Sequence, residues 1–149
     1  MMEQLVKIST VFNIYYGHQL DLNKQVILKN HGISFVNRTA NNLGVSCKIQ
    51  RIPNIQPFKK GLITVSLGGS VLESYIQPED FYTGQNVKVL EPKTSLSYNQ
   101  KLFYCLCIKR NAYKYSAFGR EANKTFKKYR RNIFYCLFED FAFPQLCCA

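Results

Sequence analysis

The chain has 149 residues, 46% of them hydrophobic, with 10 Tyr, 11 Phe and no Trp. That length suits one domain with one core, and the apolar content argues against disorder. The formal net charge of +11 favours a polyanionic partner, which is DNA, RNA or an anionic membrane.

Residues 8–16 are rich in β-branched and aromatic types and read as a strand or extended entry ended by Gly17. Residues 21–31 are polar and basic and read as a loop or short helix. Residues 33–36 alternate as a short strand and run into a turn-rich loop over 37–44. A further strand is expected over 45–50, and 62–67 is the clearest strand in the chain. Gly68, Gly69 and Ser70 end it, and 71–77 can return as a strand. A turn at 78–80 leads to a strand over 86–90, closed by Pro92.

After Ser97 the apolar residues Leu102, Phe103, Leu106 and Cys107 fall at helical spacing, predicting a helix over 98–111. Gly119 breaks the chain, and a second helix is predicted over 120–131, with Ala122, Phe126 and Tyr129 on its apolar stripe. Strands first and helices last predict an α+β domain with a mixed or antiparallel sheet and C-terminal helices.

Between 101 and 131 stand ten basic residues, among them Arg120 and Lys124, with Glu121 the sole acid. Grouped cations of this kind release counterions when they meet phosphates, whereas a solvated helix face usually mixes both signs. Interleaved Tyr104, Tyr113, Tyr115 and Phe118 either stack on bases or fill the core. Loop 37–42 carries Asn37, Arg38, Thr39, Asn41 and Asn42. Arg can pair with guanine and Asn with adenine through two hydrogen bonds each, although the same types suit any polar turn. Gly69 and Ser70, just after a strand, either cradle a phosphate with backbone N–H groups or form a tight turn.

Catalytic signals are weak. A metal-dependent nuclease could use Asp80, Glu91 and Lys93, but Pro92 interrupts the pattern and 78–80 is an ordinary turn sequence. A methyltransferase's glycine-rich cofactor loop and aromatic–proline motif are missing, and no cofactor is expected. His18 and His31 lie in polar segments and read as surface residues. The six cysteines form no C-x2-C pair and read as reduced thiols without a zinc site. No stretch nears the roughly 20 apolar residues of a membrane helix. Residues 1–20 lack a signal peptide's apolar run, so the expected location is the cytoplasm.

Five blocks, in order, carry a family resemblance: residues 16–20 (YGHQL), 33–45 (ISFVNRTANNLGV), 61–70 (GLITVSLGGS), 81–87 (FYTGQNV) and 115–125 (YSAFGREANKT). Together they resemble the target-recognition domain of restriction–modification specificity subunits, of type I and related type II systems. The resemblance implies a non-catalytic domain that reads duplex DNA and docks on a methyltransferase subunit, with a restriction subunit in the same assembly. Such subunits usually hold two recognition domains, so a second copy of the chain is one expected partner.

Under this resemblance, base or backbone reading falls to Asn37, Arg38, Thr39, Asn41 and Asn42, and phosphate contact to Gly69, Ser70, Arg120 and Lys124. The other reading makes these blocks scaffold and puts the readers in 21–31 and 48–60. A small nuclease and a structural subunit or remnant that does not bind DNA are the alternatives. The recognition domain is expected over 1–131. Residues 132–149 read as an atypical apolar, cysteine-rich tail, either truncated or frame-shifted, or a native cover for the sheet or a partner.

Overall fold

The computed structural model describes residues 6–115 and 135–136. The strands are β1 (Val6–Lys7), β2 (Phe12–Tyr15), β3 (Ile27–Leu28), β4 (Ile33–Val36), β5 (Val45–Ile49), β6 (Ile63–Ser66), β7 (Ser74–Ile76), β8 (Phe81–Thr83), β9 (Val87–Pro92) and β10 (Tyr135–Cys136). A short helix α1 (Ile8–Val11) and a longer one, α2 (Tyr98–Arg110), complete the regular elements beside three 3-10 turns. The strand expected over 8–16 is thus split, because α1 interrupts it. The segment 21–31 holds a 3-10 turn at Leu22–Lys24, capped by the Asp21 side chain, and then the two-residue strand β3.

Two four-stranded sheets form the body, ordered β2-β9-β6-β7 and β3-β5-β4-β8, while β1 pairs with β10 apart from them. All pairs of the first sheet are antiparallel. In the second, β4 and β8 run parallel, with Phe35 opposite Tyr82. The expected α+β class with a mixed sheet is therefore what the chain adopts, as two sheets rather than one. The second predicted helix, 120–131, lies outside the described residues.

Strand alternation distributes the core. On β6, Ile63 and Val65 join Phe12, Leu72, Leu90, Cys105 and Ile108 in one cluster. Val87 and Val89 of β9 instead meet Val36 and Phe81 of the second sheet. Phe35, Ile49 and Tyr82 point to the other face of that sheet, where Ile52 and Ile55 cover them.

The helix α2 starts with a capping box, Ser97 Oγ accepting from Gln100 N–H at 3.2 Å and Gln100 Oε1 from Ser97 N–H at 2.8 Å. Its buried face differs from the predicted stripe. Cys105 and Ile108 pack inward, while Leu102 and Leu106 are 43% and 60% exposed. The neighbours choose the face: Lys101 Nζ donates to Gly61 carbonyl at 2.8 Å, and Lys109 pairs with Glu73 at 2.9 Å. Cys47 and Cys105 are free thiols, but Cys107 is disulfide-bonded, against the expectation of reduced thiols throughout. Among the described residues no helix is long and apolar enough to cross a membrane.

Segment 50–58 has no strand of its own, and Tyr82 staples it to the sheet. Its buried hydroxyl accepts from Ile52 N–H at 3.2 Å and donates to Ile55 carbonyl at 2.9 Å. Removing it takes away the partner of the Ile52 N–H and of the Ile55 carbonyl. Tyr82→Phe is expected to lower stability by about 1–2 kcal/mol in denaturant unfolding. It should also speed amide exchange at Ile52 more than at the β6 amides.

Candidate nucleic-acid interface

Strand direction gathers four connections at one end of the molecule. Parallel β4 and β8 send loop 37–44 and turn 84–86 the same way. Ser66, the last residue of β6, lies opposite Val87, the first of β9, so loop 67–73 emerges beside turn 84–86. Tyr15 at the end of β2 pairs with Val89, which adds the turn 16–20 to the group.

Hydrogen bonds join the four. Ser70 N–H donates to Arg38 carbonyl at 3.4 Å, and Leu67 N–H to Asn86 carbonyl at 2.8 Å. Asn86 N–H donates to Gln19 Oε1 at 3.3 Å, while the Gln19 side-chain amide closes on Tyr16 carbonyl. Gly84 N–H donates to Val36 carbonyl at 2.8 Å. The two sequence candidates, loop 37–42 and the Gly69–Ser70 turn, are therefore one surface.

Loop 37–44 is built to hold its shape. The β4–β5 register shifts between Phe35 and Val36, leaving Ser46 as an extra residue whose hydroxyl donates to Phe35 carbonyl at 3.3 Å. Such a bulge twists the strand and re-aims the loop that leaves it. Asn37 N–H closes the loop on Gly44 carbonyl at 2.8 Å, and Asn37 Oδ1 accepts from Arg38 N–H at 2.9 Å. Thr39 Oγ1 accepts from Asn41 N–H at 3.2 Å, and Asn42 Nδ2 donates to Val45 carbonyl at 3.2 Å. Asn42 and Leu43 both take left-handed backbone angles, with φ of 47° and 56°.

Two β7-side groups pin this loop from below. Tyr75 hydroxyl shares its one proton between Ala40 carbonyl at 2.8 Å and Glu73 Oε2 at 2.7 Å, and Gln77 Nε2 donates to Leu43 carbonyl at 2.9 Å and Thr64 Oγ1 at 2.8 Å. Gln77 is buried, and its Oε1 has no partner among the described residues. Flipping the amide would turn that oxygen against Leu43 carbonyl, so the loop fixes its orientation at the expense of one unmade bond.

Of the sequence candidates, Asn37 and Thr39 thus shape the loop, whereas Asn41 and Asn42 are exposed on it. Gly69 is exposed beside Arg38. Arg120 and Lys124 lie outside the described residues. Tyr16, Gln19 and Asn86 join the surface, with Lys88 beneath them, although sequence reasoning singles out none of the four. Lys88 is buried, with its Nζ 2.6 Å from the Tyr16 ring centroid, while Tyr16 stays exposed. The turn residues at 16–20 and 84–86 do stand within the blocks of family resemblance, which was the available signal.

The described acids are all engaged inside the protein. Asp21 caps its own turn, Glu73 meets Lys109, and Glu79 meets Lys48 and Ser34. Asp80 accepts from Lys59 Nζ and Lys60 N–H, both at 3.0 Å, and Glu91 from Tyr15 hydroxyl at 2.6 Å. Lys48 holds the Glu79 carboxyl below its ordinary range, and the Lys60 N–H does the same for Asp80. The trio weighed for a nuclease is divided between the sheets. Asp80 precedes β8, while Glu91 lies in β9 and Lys93 just after it, with Lys93 Nζ donating to Ser9 carbonyl at 2.7 Å.

A profile of the family described as "Type I restriction modification DNA specificity domain" matches residues 3–131, and the chain belongs to that family. Its members are specificity components without a catalytic centre. Two solved structures share the fold. One is a type I restriction–modification S subunit from M. genitalium, 15% identical with a TM-score of 0.55, aligned over 84% of this chain and 29% of that one. The other is an HsdS subunit from Thermoanaerobacter tengcongensis, 18% identical with a TM-score of 0.61, aligned over 90% of this chain and 32% of that one. This chain therefore spans about a third of either relative. No curated protein matches it.

His18 fastens the turn 16–20 to this surface, and it is half-buried rather than the free surface residue expected from its polar segment. Its ring lies 4.6 Å from Phe58 and 5.2 Å from Tyr82. Nδ1 accepts from Thr83 N–H at 3.4 Å, and Nε2 then donates to Gln56 carbonyl at 2.9 Å, which is the neutral tautomer. Burial lowers its pKa from 6.5, against a smaller opposing pull from Gln56 carbonyl. The unfolded chain therefore takes up a proton before the folded one. The stabilisation is full above 6.5 and is lost as pH falls from there through the lowered folded value. Glu79 and Asp80, both lowered, titrate below that window. Unfolding midpoints should drop between pH about 7.5 and about 5, and His18→Gln should flatten that drop.

Proposed function

We propose that this chain reads duplex DNA for a restriction–modification system through the surface formed by loop 37–44, loop 67–73 and the turns at 16–20 and 84–86. One observation carries the reading: Arg38 stands on that surface outside every ion pair of the described residues, while each described acid is already engaged. The net charge of +11 is then free to act on an external polyanion.

Within this reading Arg38, Asn41 and Asn42 face the DNA, Asn37 and Thr39 set the loop that carries them, and Gly69 and Ser70 border it. Arg120 and Lys124 are assigned to phosphates on the basis of their spacing in the sequence. The recognition unit is assigned to residues 1–131, and 132–149 to an apolar, cysteine-rich tail whose Tyr135–Cys136 pair with Val6–Lys7. A methyltransferase subunit and a restriction subunit supply the chemistry, in the cytoplasm. Either a second copy or another recognition domain reads the remainder of the site.

Fluorescence-anisotropy titration against a pool of random duplexes, followed by sequencing of the bound fraction, tests this. About four phosphate contacts would weaken binding roughly a hundred-fold between about 50 and about 200 mM salt. Enrichment of a short motif is the expected result. An affinity that ignores salt, or a bound pool as random as the input, overturns the reading.

A further inference from the structure

The double glycine at 68–69 and the arginine across from it form one arrangement. A Cβ on Gly69 would stand 2.8 Å from Arg38 carbonyl oxygen and 3.3 Å from Arg38 Cβ, and Gly69 has a φ of +63°. A Cβ on Gly68 would lie 3.3 Å from Arg38 Nη1 and 3.6 Å from its Cδ. The backbone of Arg38 therefore rests on Gly69, and its side chain runs along Gly68. Any larger residue at 69 would push the arginine away, since real Cβ atoms do not approach other heavy atoms that closely.

The polar groups at this seat are already committed. Ser70 N–H, which a phosphate cradle would need, donates to Arg38 carbonyl at 3.4 Å. Arg38 N–H donates to Asn37 Oδ1 at 2.9 Å. Both backbone groups of half-buried Arg38 are fixed, and its guanidinium, lying along Gly68, pairs with none of the described acids.

We propose that Arg38 is a specificity-determining residue, donating two hydrogen bonds to O6 and N7 of one guanine, and that Gly68 and Gly69 are its positioning residues rather than a phosphate cradle. This rests on the DNA reading proposed above. A phosphate accepts a cation from many directions, so it would not require a side chain laid along a glycine floor. Two-bonded guanine pairing does require one plane and one direction. The seat fixes the arginine's backbone and lays its stem along Gly68 before the DNA arrives.

The test is selection from random duplexes with the full chain and three variants, Arg38→Ala, Gly69→Ala and Gly61→Ala. Gly61 is the control for backbone strain: its φ is +85°, but a Cβ there would meet only Lys101 Nζ, at 3.6 Å. Arg38→Ala should flatten the preference at one G·C position by about ten- to a hundred-fold, leaving the other positions intact. Gly69→Ala should flatten the same position, and Gly61→Ala should keep the whole motif at a similar loss of thermal stability. A uniform loss of affinity in Arg38→Ala, with the motif unchanged, would assign Arg38 to a phosphate and overturn the proposal. So would a Gly69→Ala protein that folds and keeps the full preference. A wild-type chain that enriches nothing defeats the DNA reading itself, a result distinct from either.

Discussion

The parallel pairing of β4 with β8 is the constraint on which the candidate surface depends. It is the one parallel strand pair among the described residues, in a fold whose other pairs are antiparallel. An antiparallel neighbour would send its loop to the opposite end. Parallel alignment of Phe35 with Tyr82 instead sends Asn37 and Gly84 off side by side, and Asn37 Oδ1 would lie 3.1 Å from a Cβ on Gly84. Because β9 follows immediately after that turn and carries the first sheet, the same alignment also draws in loop 67–73. The price is a crossover of 44 residues between Val36 and Phe81, which includes β5, β6 and β7.

A surface gathered from four connections is useful for recognition only if they are stiff, and the buried groups beneath it account for stiffness. Gln77 gives both of its amide hydrogens, one to the loop at Leu43 and one to the strand at Thr64, and leaves its oxygen unpartnered among the described residues. An unmade bond of that kind opposes folding by about 1–3 kcal/mol. Left-handed angles at Gln19, Asn42, Leu43, Leu72 and Asn86 add to it, so that five of the six such non-glycine residues described lie on or directly under this surface, Asn54 being the sixth. A region tuned for stability alone would not collect such departures in one place. They fit loops held ready for a partner, where ordering has already been completed before binding.

The sequence made some of this legible and left some of it out of reach. Ile63–Ser66 reads as a strand from its β-branched run between glycines, and β4 from its alternation. Loop 37–44 was marked by its Asn-rich turn chemistry. The juxtaposition of Arg38 with Gly68 and Gly69 was not legible, because it depends on which strands neighbour one another and spans about thirty residues of chain. The inward face of α2 was misjudged for a related reason. Leu102 and Leu106 carry the helical spacing, yet Cys105 and Ile108 face the core, with Lys101 and Lys109 bonded to Gly61 and Glu73 on either side. His18 was misjudged since polar neighbours in sequence gave no sign of Phe58 and Tyr82 around its ring.

Charge explains why the surface can be polar without being neutral. Five acids fall among the described residues, and each one meets a partner elsewhere on the body. Glu79 and Asp80 sit at the start of β8, the end opposite turn 84–86, and draw Lys48 and Lys59 to themselves there. Glu73, the one acid within the four connections, is held by Lys109 of α2. The loop end keeps Arg38 without a carboxylate to compete for it. Since a guanidinium already paired with an acid must first be released before it can meet a base edge, engaging the described acids with partners other than Arg38 removes a penalty that it would otherwise carry.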